Sequence, residues 1–181
     1  QSANLTAADF TSASLDSADF SGATLASANL SYATGLTASQ IYSTASYATR
    51  SLTGVALVAQ NLSQWNFASF ALSSANFSSA ILTSTDFTSA TISAANFSFV
   101  IGLTSAQIYS SASYRARNLV GIGLQGLDLT SINLASQNLT SSNLQSTTLC
   151  VASLVSANLT SADLTGTNLA SANLTSANFS N

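Results

Sequence analysis

Large apolar residues recur every five positions along most of the chain. The first run holds Leu5, Phe10, Leu15, Phe20, Leu25 and Leu30. A second run extends from Leu52 to Phe97, and a third from Leu119 to Phe179. Alanine often lies two residues before the large residue, and Asn or Asp lies one residue before it. The repeating unit is therefore A-(N/D)-(L/F)-(S/T)-x.

A period of five matches neither the 3.6-residue period of a helix nor the two-residue period of a flat strand. Two inward positions in five, one small and one large, indicate a chain that turns a corner in every unit. Four corners close a square coil of about twenty residues, and such coils stack through backbone hydrogen bonds at ~4.8 Å. The pattern therefore predicts an all-β solenoid.

This repeat resembles that of the pentapeptide-repeat proteins, and the resemblance covers nearly the whole chain outside two interruptions. It implies a right-handed quadrilateral β-helix, here of about nine coils in a single domain spanning residues 1–181. In that family the Leu or Phe and the small residue two positions earlier point inward. The functions of the family are diverse, so the resemblance implies a fold rather than an activity.

The aromatic residues of the second run support a coil of twenty residues. Phe67, Phe77, Phe87 and Phe97 are spaced by ten. Phe67 should then lie under Phe87, and Phe77 under Phe97, on opposite faces of the coil. We expect each stacked pair to add ~0.5–1.5 kcal/mol beyond the burial of its area.

Two nearly identical segments interrupt the repeat, GLTASQIYSTASY at 35–47 and GLTSAQIYSSASY at 102–114. Each has a Thr followed three residues later by Gln, which is the spacing of a helix capping box. The pattern predicts short helical inserts at about 35–49 and 102–116. The residues singled out in these inserts are Thr37, Gln40, Tyr42, Thr104, Gln107 and Tyr109.

Each insert should also affect the register of the coils. The chain advances 22 residues from Leu30 to Leu52 and again from Phe97 to Leu119. Each insert is therefore expected to replace about one coil and to shift the register slightly. The side chains of Arg50 and Arg117 are expected to satisfy the last helical carbonyls. Bulkier residues that fill the inward small position after each insert are expected to widen a coil or pack against the helix: Val55, Gln60, Trp65, Phe70, Ile122, Leu127, Ile132 and Gln137.

The composition excludes several classes of function. The chain has six Asp, three Arg, no Lys, no Glu and no His, for a net charge of −3. With so little positive charge, binding to nucleic acid is not expected. Without His, Lys or Glu, we expect no catalytic site, no metal site and no cofactor. No apolar stretch is long enough to span a membrane.

The lone Cys150 excludes an internal disulfide and is expected to be a small, partly buried side chain. The alternative is an intermolecular disulfide or a reactive thiol.

The Asn, Ser and Thr residues bear on the cellular compartment in which the protein acts. Asn-x-Ser/Thr sequences arise automatically from the repeat, so they are no evidence of glycosylation. The many outward Ser and Thr hydroxyls are candidate sites for O-linked glycans, which would hydrate a surface with little charge. The chain begins at Gln1 rather than Met, which suggests a processed or trimmed form. We therefore expect a secreted or cell-surface bacterial protein.

The repeat runs to both ends of the sequence without a distinct capping element. Solenoids usually carry such caps because an open end exposes core residues and unpaired backbone groups. Contact between two different ends does not close on itself and generates a filament. The sequence therefore predicts a structural protein that assembles head to tail into an extracellular filament. The residues expected at the assembly ends are Leu5, Phe10, Leu15, Leu169, Leu174 and Phe179.

A soluble scaffold that binds a protein partner is the alternative. It would use the inserts, with Tyr42 and Tyr109 as contacts, or one flat face.

Two weaker alternatives follow from the family and the fold. Family members that protect gyrase resemble DNA through a strongly acidic surface, which six Asp against three Arg do not reproduce. An ice-binding face would need a regular Thr column, and Val120 and Ser180 interrupt the column of Thr140 and Thr160.

Overall fold

The computed structural model describes residues 3–180. Parallel bridges join residues twenty positions apart, as between Asn4 and Thr24 and between Asn158 and Asn178. In this part of the chain the pairing consists of isolated bridges rather than extended strands. The bridges stack eight complete coils, and residues 177–180 begin a ninth. The chain is an all-β solenoid, a right-handed quadrilateral β-helix with short helical inserts, as the repeat predicted.

Each regular coil has four faces of five residues, and each face points one large residue inward. In the first coil the first, second, third and fourth faces are centred on Leu5, Phe10, Leu15 and Phe20. A hydrogen bond from the Ala8 N–H to the Leu5 carbonyl (3.0 Å) closes the first corner. Ala7, just before the closing residue, has a left-handed φ of 56°, as the third position of a type II turn requires.

Where Asn or Asp precedes the large residue, its side chain supports the same turn. The Thr6 N–H donates to the Asn4 side-chain oxygen at 3.1 Å. The Thr11 N–H donates in the same way to Asp9 at 2.9 Å. Asn and Asp therefore recur at this position because their side chains satisfy a backbone donor that the corner leaves free.

The large residues and alanines fill the interior. Phe67 and Phe87 stack with ring centroids 6.0 Å apart, and Phe77 and Phe97 stack at 5.2 Å. Rings from opposite faces meet edge to face, as Phe77 and Phe87 do at 5.9 Å. The predicted aromatic stacks are confirmed, and they form the centre of a continuous buried cluster.

Each insert contains two short helices. The first insert holds α1 (Ala38–Tyr42) and α2 (Ala45–Ala48). The second holds α3 (Ser105–Ser110) and α4 (Ala112–Arg115). All four helices lie within the segments for which helical inserts were predicted.

The coils that carry the inserts are longer than the others. Asn29 pairs with Ala56, and Asn96 pairs with Gly123, each 27 rather than 20 positions along the chain. Seven extra residues are accommodated on the third and fourth faces, while the second face keeps its bridge to the next coil. The expectation that each insert replaces about a whole coil was therefore wrong. A count between two large residues does not show on which faces the chain leaves the ladder.

Candidate functional site

Several Asp carboxylates accept hydrogen bonds within turns of the coil. Asp9, Asp19, Asp128 and Asp163 each accept hydrogen bonds from the side chain and the N–H of the residue two positions on, which lower the pKa of their carboxyl groups. Within residues 3–180, no three His, Cys, Asp or Glu side chains lie together so that they could hold a metal ion. None of the helices described there is long and apolar enough to cross a membrane.

Both predicted capping boxes are present. The Thr37 N–H donates to the Gln40 side-chain oxygen (2.7 Å), and the Gln40 N–H donates to Thr37 Oγ1 (3.3 Å). Thr104 and Gln107 form the same pair of bonds at 2.8 and 3.3 Å. These reciprocal bonds satisfy donors that a helix start leaves free.

In the first insert, Gln40 and Tyr42 replace backbone groups that the ladder loses there. Gln40 Nε2 donates to the carbonyl oxygens of Leu15 (2.7 Å) and Ala18 (3.0 Å) in the preceding coil. The Tyr42 hydroxyl accepts a hydrogen bond from the Asn66 N–H (2.8 Å) in the following coil. One side chain thus substitutes for a missing N–H and the other for a missing carbonyl.

The second insert repeats this arrangement. Gln107 Nε2 donates to the Leu82 and Thr85 carbonyls at 2.9 and 2.8 Å. The Tyr109 hydroxyl accepts from the Asn133 N–H at 2.7 Å. The repeated motif is therefore a structural junction between coils. The Tyr42 and Tyr109 hydroxyls each accept a hydrogen bond from the following coil.

Aromatic side chains pack the first insert onto the coil that follows. The rings of Tyr47 and Phe70 lie 5.0 Å apart, and those of Tyr42 and Trp65 lie 6.2 Å apart. Burial raises the pKa of the Tyr47 hydroxyl. Trp65 and Phe70 are among the bulkier inward residues noted in the sequence, and they pack against the insert as expected.

Arg50 ends the first insert with its backbone rather than with its side chain. Its φ is 53°, its N–H donates to the Tyr47 carbonyl (3.0 Å), and the Ser51 N–H donates to the Ser46 carbonyl (2.9 Å). This pair of bonds is a Schellman motif. The guanidinium donates instead to the Ala68 carbonyl (2.6 Å), outside the helix. The expectation that this side chain satisfies the helical carbonyls was therefore wrong, because the backbone amides already do so.

The residues that end the second face form a stacked column, here called the second corner. Its members are Ser12, Tyr32, Ala59, Ser79, Phe99, Gly126, Ser146 and Gly166. Tyr32 is 57% exposed and Phe99 is 54% exposed. The two rings lie 67 positions apart in the sequence, which corresponds to three coils and about 14 Å along the axis. Each ring belongs to the coil from which an insert departs.

Phe99 lies across the outer side of the next coil. A Cβ atom at Gly126 would be 2.6 Å from ring atoms Cδ1 and Cε1 of Phe99, so only glycine leaves room for the ring. Ile101, close to Phe99 in sequence, is 60% exposed. We call Tyr32, Phe99 and Ile101 the aromatic patch. Sequence reasoning missed the patch because the last position of the unit was treated as variable. The available signal was an aromatic residue where Ser is usual.

One further apolar residue is exposed at a different corner. Val151 ends the third face of the seventh coil with a φ of 59°, and it is 60% exposed. It follows Cys150, a free and partly exposed thiol. Val151 therefore offers a matched comparison for the aromatic patch, since it has the same turn position and similar exposure on another edge.

The residues predicted at the assembly ends differ in burial. Leu15 is buried, Leu5, Phe10, Leu169 and Leu174 are partly buried, and Phe179 is 41% exposed. By contrast, Leu159 in the preceding coil is 2% exposed.

Comparison with known protein families identifies the five-residue repeat. The family model for pentapeptide repeats (8 copies) matches residues 3–34, 71–100 and 152–181. No curated protein sequence matches the chain.

Three solved structures are similar to the chain. HetL, a pentapeptide repeat protein involved in heterocyst differentiation regulation from the cyanobacterium Nostoc sp. strain PCC 7120, is 22% identical with a TM-score of 0.44, covering 98% of this chain and 89% of HetL. Rfr23 from the cyanobacterium Cyanothece 51142 is 24% identical with a TM-score of 0.23, covering 71% of this chain and 63% of Rfr23. QnrB1, a plasmid-mediated fluoroquinolone resistance protein, is 17% identical with a TM-score of 0.28, covering 89% of this chain and 77% of QnrB1.

Proposed function

Because the chain belongs to the pentapeptide-repeat family, we propose that it is a non-catalytic scaffold that binds a partner along its second corner. The aromatic patch is the observation that supports this function. Tyr32 and Phe99 recur at the same turn position of two related modules, and more than half of each side chain is exposed. Aromatic residues are enriched in the surfaces through which proteins bind partners.

The energetics of the patch favour binding over a role in folding. Covering the exposed halves of two aromatic side chains removes about 200 Å² from water, a gain of about 5 kcal/mol at ~25 cal/mol/Å². In the free protein this gain is not realised. The absence of Lys, Glu and His from the sequence, together with the use of several Asp carboxylates in turns, supports the non-catalytic part of the proposal.

Substitution of both rings tests this function. In Tyr32→Ser/Phe99→Ser, each ring is replaced by the residue that Ser12, Ser79 and Ser146 already provide in the same column. The immobilised protein is exposed to an extract of the organism that produces it, and bound material is analysed for protein and for monosaccharides. We expect material that binds the wild type and Val151→Ser but not the double variant. Equal retention on all three would refute a binding role for the second corner.

Head-to-tail association into a secreted filament is a second proposal. The pairing between coils favours it, since a second copy could continue the same parallel bridges between backbone groups. Sedimentation velocity at rising concentration, followed by negative-stain microscopy, tests it. The filament proposal expects growing linear particles that Phe179→Asp abolishes, and a monomer at every concentration excludes it.

A further inference from the structure

The second corner offers stacking surface without positive charge. The chain's three arginines are Arg50, Arg115 and Arg117. The guanidinium groups of Arg50 and Arg115 contact the Ala68 carbonyl and the Ser89 hydroxyl, both near the end of the fourth face. That edge of the square tube lies diagonally opposite the second corner. An anionic ligand is therefore not favoured beside Tyr32 and Phe99.

The polar groups on the two coils that follow Phe99 along the axis are amides and a carboxylate. On the second face, Gln125 Nε2 donates to the Gln145 side-chain oxygen (3.0 Å), and Asn143 Nδ2 donates to the Gln125 side-chain oxygen (3.3 Å). Asp128 lies two residues beyond Gly126, and its carboxylate accepts from the Thr130 N–H at 3.0 Å. These groups both donate and accept hydrogen bonds, as a ligand rich in hydroxyl groups requires.

The exposed area of the patch fits a small or thin neutral ligand better than a folded protein. Tyr32, Phe99 and Ile101 together expose about 300 Å², whereas a stable protein interface buries about 800 Å² on each partner. The patch is also narrow, because its two rings lie in a single column and are separated by about 14 Å along the axis. A thin, extended ligand can contact both rings, while a folded protein would need additional surface.

We propose that the second corner binds a neutral oligosaccharide lying along the solenoid axis. Pyranose rings present apolar C–H faces that stack on the Tyr32 and Phe99 rings, and their hydroxyls exchange hydrogen bonds with the Asn and Gln amides and with Asp128. The inference rests on the proposed scaffold function and names its ligand class. No covalent step is involved.

Saturation-transfer difference NMR with purified glycans tests this assignment. The probes are cellohexaose, chitohexaose, maltohexaose and xylohexaose, each with wild type, Tyr32→Ser/Phe99→Ser and Val151→Ser. We expect at least one glycan to receive saturation from the wild type and from Val151→Ser. The double variant should bind it at least about tenfold more weakly, and each single Ser variant should give an intermediate loss.

Two results would overturn the inference. The first is no transfer from the wild type to any of the four glycans at millimolar concentration. The second is equal transfer to the double variant. If no glycan binds but the extract yields a protein partner that depends on the patch, the oligosaccharide assignment fails and the scaffold function stands. If the extract also yields nothing dependent on the patch, both fail.

Discussion

At the residue scale, the corner position determines which side chains the solenoid shows to solvent. This position requires a left-handed φ, as at Ser79 (58°) and Ser146 (53°). A side chain there points away from the core and contributes little to it. Tyr32 and Phe99 occupy the same position, so their rings add apolar surface outside the protein rather than inside it.

Gly126 provides a direct test of how the Phe99 ring is held. In Gly126→Ala, a Cβ would meet the ring at 2.6 Å, and the left-handed φ of 74° would also be strained. Gly166→Ala shares the column and has a φ of 70°, but its Cβ would be 3.4 Å from the nearest atom. We expect backbone strain to lower the free energy of unfolding of both variants by about 1–2 kcal/mol. Gly126→Ala alone should show a larger decrease and shifted NMR signals of the Phe99 ring. Equal stability losses and unshifted signals in the two variants would contradict the ring's position.

The Asp residues at the turns predict a dependence of stability on pH. The pKa values of Asp9, Asp19, Asp128 and Asp163 are lowered in the folded chain. Their stabilising contribution is therefore present above the unfolded pKa of about 3.9 and is lost as the pH falls through the lower folded values. We expect the melting temperature of the wild type to fall below about pH 4.

The matched control replaces all four Asp by Asn, the other residue that the repeat uses at this position. This variant should show a smaller decrease of melting temperature in acid, because its turn acceptors do not titrate. The same acid-induced decrease in wild type and variant would show that these carboxyls do not carry the pH dependence.

The inward residues could be predicted from the sequence, but the outward aromatic patch could not. Leu or Phe recurs every five residues, with Ala two positions earlier, and this repeat predicts directly which side chains point inward. The last position of the unit carries no such constraint, since Ser, Gly, Ala, Tyr and Phe all occur there. Its left-handed geometry follows from the turn at each corner, whereas the space that Gly126 leaves for Phe99 depends on contacts between coils.

At the scale of elements, the inserts are junctions in which side chains take the place of backbone. Gln40 donates to carbonyls of the preceding coil, and Tyr42 accepts from the following coil. Gln107 and Tyr109 do the same in the second module. The capping boxes were predictable, because Thr and Gln at that spacing have a local role. The bonds across coils were not, because they join residues more than twenty positions apart.

Removal of one hydroxyl tests this role. Tyr42→Phe and Tyr109→Phe should each cost about 1 kcal/mol, because a backbone N–H loses its hydrogen-bond acceptor. For a chain of this size the melting temperature should fall by about 2–4 °C. The control is Tyr47→Phe, which keeps the ring in the same aromatic cluster while removing a different hydroxyl. A loss as large for Tyr47→Phe as for Tyr42→Phe would contradict the assignment.

At the scale of the whole molecule, the stack depends on the five-residue phase rather than on any one coil. Every regular face uses the same unit, and each coil is bonded to its neighbours through the ladder. Repeat proteins of this kind are stabilised by the interfaces between adjacent units. A change that preserves the phase should therefore be tolerated, while a change that shifts it should expose the core of every later coil.

Deletions in the third run separate these two cases. Deleting residues 140–144 joins Leu139 to Gln145 and keeps Leu149 and later large residues inward. Deleting 140–145 moves them to outward positions. We expect cooperative thermal unfolding of the first variant and loss of amide-exchange protection after residue 139 in the second. Similar protection in both variants would argue against a fixed five-residue phase.

The central claim is that the rings of the second corner serve binding rather than stability. It is tested most directly by the free energy of unfolding of Tyr32→Ser/Phe99→Ser, compared with that of the wild type and of Val151→Ser. Since the rings are largely exposed, we predict a change within about 0.5 kcal/mol, as for ordinary surface substitutions. A loss of more than about 2 kcal/mol in the double variant, with none in Val151→Ser, would show instead that the rings hold the coils together.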